Sequence, residues 1–406
     1  MAQAGIFKLV LTLGTMECGL AQQILANGAG SGVVHQNTFD EVRPETSAMG
    51  KVLQKPRIAH EIGVLAGAQA ARRVTEVSKT RGAAMRIALR KKPITDLPDF
   101  YVCGGQSGDQ ILNDMYRYDL SRGVWEQMPP MPTARSFCTA ATVAGKVYVL
   151  GGERDQRPAF AATECYHPSE KEWRRLPPMP TARAGSATAV VGDQIYVFGG
   201  LSVAWHVLPT VECFNTSRNR WSCLPPMPSP RCGCAAVSVG HRIFIFGGQV
   251  SRGNVLNSAD VLDTETGTWD TLADMPTARA GCSAAVLRSL VTVTMPQGPT
   301  RQRKSQTTRT TIYVIGGLNA QGCCLASMER YVVDLDEWEE AVAAPLARAG
   351  SAVASMGSSV FVCGGFNNAR QDILQTDIYD EDAGEWQEVE ALPRPRRLSA
   401  ATMVWP

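Results

Sequence analysis

The sequence predicts an all-β chain folded as a six-bladed propeller, and three regularities carry that prediction. A Gly-Gly doublet closes an apolar run six times, at Gly104-Gly105, Gly151-Gly152, Gly199-Gly200, Gly247-Gly248, Gly316-Gly317 and Gly364-Gly365. A tryptophan follows each doublet after 20 or 21 residues (Trp125, Trp173, Trp221, Trp269, Trp338, Trp386), and seven residues before it stands Tyr118, Tyr166, Phe214, Leu262, Tyr331 or Tyr379. Ten residues after each tryptophan comes Arg135, Arg183, Arg231, Arg279, Arg348 or Arg396. Successive second glycines lie 47, 48, 48, 69 and 48 residues apart, and a fixed period of this kind denotes stacked supersecondary units.

Each unit reads as four short strands. After the arginine comes a small-residue run such as GSATAVV (185–191), then QIYVFGG (194–200), then VECFN (211–215) beyond a variable stretch, and finally WSCL (221–224). These runs are rich in β-branched and aromatic residues and are bounded by Gly, Pro, Asn and Asp, as strands are. The stretches PPMPTAR (129–135 and 177–183) are connections, because proline cannot donate to a central ladder. The tryptophan and its partner ring are large apolar bodies suited to packing between neighbouring sheets. One four-stranded sheet cannot cover both of its faces, so the units must stack, and stacking around an axis protects the strand edges.

The doublets, the aromatic-x₆-Trp pairs and the arginine after the Met-Pro turn make residues 99–404 resemble the kelch-repeat family. Two units depart from its pattern: Leu262 stands where an aromatic is usual, and Ala-Ala-Pro-Leu (343–346) replaces the Met-Pro turn of the fifth unit. The resemblance implies a six-bladed kelch β-propeller over 99–406.

The first unit begins at its second strand, DFYVCGG (99–105), whereas LSAATMV (398–404), after Arg396, is a first strand without a unit of its own. The terminal strand is therefore expected to close the ring against blade one, since an unpaired blade would leave open edges. Residues 1–98 form an N-terminal extension without the repeat, read as poorly structured or partly helical, with helical composition over 64–92. It shows no resemblance to the BTB or BACK regions that precede the propeller in many kelch adaptors. The fifth unit exceeds its sisters by 21 residues, an insert at about 287–310 containing PQGPTRQRKSQTTRT (296–310). Its composition buries nothing and reads as a disordered surface loop; a basic docking loop or phosphorylation site is the alternative.

The net charge of +2 marks neither nucleic acid nor an anionic surface as the partner. It conceals an asymmetry: 1–98 hold 13 Lys/Arg against 7 Asp/Glu, and the remainder 27 against 31. No apolar run reaches the roughly 18 residues a membrane span needs, and Ile6–Leu25 lacks the basic flank of a signal peptide. Seven of the twelve cysteines recur at equivalent repeat positions, Cys103 with Cys363, Cys165 with Cys213, and Cys138 with Cys234 and Cys282. That recurrence reads as Cys used as a small buried hydrophobe, not as a disulfide framework or zinc site. A cytoplasmic chain, with the nucleus also open to it, is the matching expectation.

No catalytic set, cofactor or metal site emerges from the sequence. The five histidines (His35, His60, His167, His206, His241) occupy unrelated positions, unlike the His and Tyr ligands of copper radical oxidases built on the same blade. No Walker loop, GxSxG elbow or HExxH is present. The six repeat arginines could suggest a guanidinium cluster, but their presence in every blade assigns them to a structural turn. The expected function is a protein-protein interaction module, resembling the substrate-recognition halves of kelch ubiquitin-ligase adaptors. The alternatives are an enzyme of sugar epimerase or oxidase type on the same scaffold, or an actin-associated kelch protein.

Strand order places the strand two–three loops and the inter-blade connections on one face, where a protein or peptide ligand would dock. A cullin-type ligase or actin would join through other chains. Contact candidates by resemblance are the residues after each repeat arginine, namely Ser136, Ala184, Cys232, Ala280, Ala349 and Arg397. The variable loops add Arg154, Arg157, Trp205, His206, Arg252, Phe366 and Arg370. Trp205 lies outside the repeat register, so it is either a contact residue or a ring folded over its own loop. The loop arginines suit an acidic peptide, or are solvated charges.

Overall fold

The computed structural model describes residues 97–154, 159–251, 253–296 and 302–405. The expectations for the N-terminal extension, including the helix over 64–92, lie outside the described residues.

The described residues form six four-stranded antiparallel sheets. Blade three is representative, with strands Ala187–Val191, Gln194–Phe198, Val211–Asn215 and Arg220–Leu224 paired in sequence order. The first strand of each blade faces the axis and the fourth lies outermost. Blade one takes its innermost strand from the end of the chain: Ala400–Val404 pairs with Asp99–Cys103, from Asp99↔Val404 to Cys103↔Ala400. The ring closes as expected.

Each second strand is apolar on both faces because neighbouring blades cover it on both sides; Ile195, Val197 and Phe198 are wholly buried. The repeat tryptophan stands directly across the ladder from the repeat aromatic, as in Phe214↔Trp221 with ring centroids 5.0 Å apart. The indole then donates to the exit loop of the preceding blade: Trp173 to Pro129 O at 2.9 Å, and Trp125 of blade one to Glu390 O at 3.0 Å. In blade four, where Leu262 replaces the aromatic, Trp269 turns edge-on to Phe198, 6.1 Å away in the neighbouring blade.

The repeat arginines do more than shape a turn. Each is buried, and each joins two blades. The main chain of Arg183 bonds to blade two, through Gly152 N to Arg183 O at 2.9 Å. Its guanidinium bonds to blade three, at Gly199 O (2.9 Å), Thr210 O (3.1 Å) and the Glu212 carboxylate (2.7 Å). The same clamp recurs as Arg135–Glu164, Arg231–Asp260, Arg279–Glu329 and Arg348–Asp377. At the closure Tyr116 occupies the acid's place, so Arg396 lies over that ring at 4.8 Å and turns to Asp114 at 3.2 Å. The glycine doublets serve these clamps. A Cβ at Gly151 would stand 2.5 Å from Arg183 O, and one at Gly152 would stand 2.7 Å from Ser136 O.

The insert departs from expectation. In place of an irregular loop, strands one and two of blade five lengthen to Ser283–Pro296 and Gln302–Ile315, a 14-rung hairpin from Ser283↔Ile315 to Pro296↔Gln302. β-branched residues at Val291, Thr292, Val293 and Thr294 on one strand, and Thr307, Thr308, Thr310 and Thr311 on the other, supply strand propensity that the charges obscure.

None of the eleven described cysteines forms a disulfide. Burial pushes the thiols of Cys138 and Cys234 up to about 11 and those of Cys282 and Cys363 up to about 12, so they are inert hydrophobes. Native-state alkylation with iodoacetamide is expected to label exposed Cys223 and to spare Cys103, Cys234, Cys282 and Cys363 until the chain is unfolded. Equal labelling of those four in the native state, read by mass spectrometry, would place them outside the core.

Candidate partner-binding face

The inter-blade connections converge on the axis in a closed ring of backbone hydrogen bonds. Gly185 N donates to Phe137 O (2.8 Å), Gly233 to Gly185 (2.8 Å), Gly281 to Gly233 (2.7 Å), Gly350 to Gly281 (3.0 Å), Leu398 to Gly350 (2.8 Å) and Phe137 to Leu398 (3.0 Å). All six residues take a left-handed φ between 52° and 64°. Glycine does so without strain, but Phe137 and Leu398 do not. Their half-buried side chains reach over Gly185 and Gly350, where a Cβ would stand 3.0 Å and 2.6 Å away. Below the ring runs a channel of about 190 Å³ lined by small residues of the first strands, alanines such as Ala187 and Ala235 alternating with hydroxyls such as Ser186, Thr188, Ser283 and Ser351.

This ring corrects the contact candidates that the resemblance placed after each repeat arginine. Ser136, Ala184, Cys232, Ala280 and Ala349 are buried, Ser136 wholly so. Each forms a bridge with the residue after the glycine doublet or its neighbour, as in Ser136↔Glu153 and Ala184↔Leu201. The mouth is lined by the next residue along the chain. A shift of one residue in an extended segment turns the opposite side outward, and that is the size of the error. Arg397 alone of the six stays partly exposed.

The loops between strands two and three carry a shared device in blades three, five and six. In each, a Ser or Asn opens a five-residue turn: Ser202–His206, Asn319–Cys323 and Asn367–Gln371. The first N–H donates to the fifth carbonyl (2.9, 3.0 and 3.1 Å), and the fourth N–H donates to the first carbonyl (2.9 Å in all three). The opening side chain caps the fifth N–H, through Ser202 Oγ at 3.1 Å, Asn319 Oδ1 at 2.9 Å and Asn367 Oδ1 at 3.0 Å. The fourth residue must be left-handed, with φ of 63°, 77° and 59°. In blade five it is Gly322. In blades three and six it is Trp205 and Arg370. The chain thus holds two bulky side chains at a strained position that glycine fills in a sister loop, a feature associated with functional sites.

Around Arg370 the seam between blades six and one builds a cationic seat. Phe366, expected at the surface, is instead buried at 3 % exposure beneath two guanidiniums, those of Arg370 and Arg397 at 4.9 and 6.0 Å from its ring centroid. Arg397 pairs with Asp372 at 3.2 Å and donates to the carbonyls of Arg370 and Gly108, each at 3.3 Å. Nε and Nη1 of Arg370 are buried and have no hydrogen-bond partner among the described residues. Burial pulls the Arg370 guanidinium below the ordinary arginine range; Cys324 opposes this, and Arg397 adds like-charge repulsion. Elsewhere on the face Trp205 is half-buried, His206 and Arg154 are exposed, and Val203 is 54 % exposed. Arg157 and Arg252 lie outside the described residues.

The three described histidines stand on different blades and share no site. His167 ends a strand of blade two and is nearly buried, His206 lies on a blade-three loop, and His241 pairs with Asp263 at 3.3 Å in blade four.

A six-bladed β-propeller with a ringed axis and one face of variable loops is the class these observations define. The family models that match are described as the KLHDC2/KLHL20/DRC7 Kelch-repeats domain, over residues 94–200 and 139–295, and as the Kelch motif, over 299–342. The chain belongs to the kelch-repeat family. Among similar proteins, Kelch-like protein 33 of Homo sapiens is 38 % identical over 73 residues, 17 % of this chain and 14 % of that protein. Kelch-like protein 23 of Homo sapiens is 38 % identical over 77 residues, 18 % and 14 % of the two chains. Kelch domain-containing protein 10 of Rattus norvegicus is 39 % identical over 56 residues, 13 % and 14 %. This chain thus spans about one seventh of each relative's length. A solved structure of YjhT matches with a TM-score of 0.55 and 16 % identity, covering 72 % of this chain and 98 % of that one, a likeness of fold.

Proposed function

We propose that this propeller is a protein-interaction module that holds an acidic segment of a partner protein on the face of strand two–three and inter-blade loops. Arg370 is its charged anchor and Trp205 its apolar one. The observation that carries this reading is the placement of Arg370: left-handed where a sister loop has glycine, stacked on Phe366, and side by side with the partly exposed Arg397 over that ring. Two guanidiniums stacked on one ring hold positive charge in a fixed place suited to a carboxylate, and Arg and Trp dominate binding hot spots. Kelch-repeat membership and the kelch-like relatives support an interaction role. The finer reading is a substrate-recognition subunit that presents its partner to a cullin-type ubiquitin ligase in the cytoplasm. It rests on the resemblance to kelch adaptors.

The test uses the full chain as bait, with Arg370→Gly and Trp205→Ala beside it. Arg370→Gly places glycine where Gly322 stands in the sister turn, so its melting temperature should not fall. Its affinity for the captured partner should fall about 30-fold or more, the range of a hot-spot residue. A partner bound with full affinity by both variants would show that this face has been wrongly assigned.

A further inference from the structure

The blade-five hairpin stands on the opposite face of the propeller, and nothing in the repeat requires it. In blades two, three, four and six the first two strands are joined by two-residue turns, such as Ala144-Gly145 between Thr139–Val143 and Lys146–Leu150. In blade five, nine rungs from Arg288↔Thr310 to Pro296↔Gln302 continue past that point. Strand three, Met328–Val332, covers only the Thr311–Ile315 part of the second strand. Among the described residues, the second strand therefore runs on without an outer neighbour.

Backbone alternation says which groups are left over. Val333 N donates to Thr310 O at 3.2 Å, so the polar groups of Thr310 face outward, away from strand one. N–H and C=O groups alternate between the two edges along an antiparallel strand. Thr308, Gln306, Lys304 and Gln302 thus direct their amides and carbonyls to an open edge, while Arg309, Thr307, Ser305 and Arg303 bond to strand one. Such an edge is a ready template for another strand, and a two-stranded ribbon on its own is marginal in water.

Charge selects the occupant. Residues 302–308 contain Arg303 and Lys304 and no acid, while Arg309 is paired with Glu339 at 2.8 Å. A second copy of the same edge would set cations against cations, the device by which proteins discourage self-pairing. The acid-rich segment of this blade, DLDEWEE (334–340), is committed as strand four through Glu337–Glu340. The extension 1–98 is itself net cationic, with 13 Lys/Arg against 7 Asp/Glu. We propose that the open edge of residues 302–308 is a strand-addition site for an extended, acidic segment of a partner protein, independent of the Arg370 face. Main-chain bonds supply attachment and the cations supply selection.

The experiment follows amide hydrogen exchange in the full chain with a capped nonapeptide of alternating Glu and Thr, and with its Lys–Thr counterpart. The acidic peptide should slow exchange at Lys304, Gln306 and Thr308 at least tenfold, and the lysine peptide should not. Gln306→Pro removes one outward N–H while sparing the bonds to strand one, and it should abolish the slowing; Gln306→Ala should retain it. Gln306→Pro should also leave the Arg370-dependent partner bound, which separates the two faces. The proposal is overturned if no outward amide slows, if slowing survives Gln306→Pro, if both peptides act alike, or if the outward amides are already protected in the free chain.

Discussion

Replacing Arg183 with alanine is expected to destabilise the propeller by about 3–5 kcal/mol, the cost of breaking a buried ion pair from one side. The guanidinium is fully buried and holds Gly199 O, Thr210 O, the Thr210 hydroxyl (3.1 Å) and Glu212. Alanine would leave a buried carboxylate without its cation and the Gly199 carbonyl without a donor, between two blades that meet along this line, while Thr210 O would keep only the Gly199 N–H. Burial already pulls the Arg183 guanidinium below its ordinary range while Glu212 opposes the shift, so the pair is held against a desolvation cost. The sign of the double variant follows. Removing Glu212 together with Arg183 takes away the stranded charge, so Arg183→Met with Glu212→Leu should be less damaging than Arg183→Ala alone. Exposed Arg220 is the control, and its alanine variant should stay within about 0.5 kcal/mol of the parent. Denaturant unfolding followed by tryptophan fluorescence would decide it. A loss at Arg183 no larger than at Arg220 would mean that the clamp does not hold the blades together.

These clamps show how far the sequence could be read. The six arginines were plain from their spacing, and so was their structural character. Their partners carry a fainter signal: an acid two residues before the repeat position of Tyr118, at Glu164, Glu212, Asp260, Glu329 and Asp377. It is weaker than the glycine and tryptophan signals because Asp and Glu interchange, and because Tyr116 breaks the series in blade one. The binding face was legible only in part. Strand order fixes which loops share a face, and Trp205 and Arg370 stand out by residue type. Their equivalence does not, because it depends on a left-handed φ that Gly322 alone advertises. The error at Ser136 has a different origin. Burial of the residue after each arginine depends on a bridge to the following blade, a long-range contact with no local signature. In the insert, the charges of Arg303 and Lys304 obscure the β-branched residues on both of its strands.

Ending the chain at Arg397 is expected to abolish cooperative folding, a larger effect than any single substitution considered above. The lost segment supplies the whole first strand of blade one, five ladder pairs with Asp99–Cys103. It also carries Ala400 and Val404, which are buried in the core that Tyr101, Cys103, Val147 and Tyr166 share between blades one and two. Leu398 leaves with it, opening the axial ring at two of its six hydrogen bonds. Arg396 and its contact with Asp114 remain, so the truncation asks whether the side-chain clamp can close the ring without the ladder. It should not. Five missing rungs expose the inner edge of Asp99–Cys103, a strand buried on both faces, and such an edge invites aggregation. Leu398→Gly is the counterpart, because glycine occupies the same ring position in four sister blades and keeps the main-chain bonds. That variant should melt cooperatively, while the shortened chain should bind a hydrophobic dye and show no sharp transition. Should the shortened chain instead unfold with the parent's midpoint and steepness, the terminal strand would be an ornament on an already closed ring, and the blades would have to be held by the arginine clamps alone.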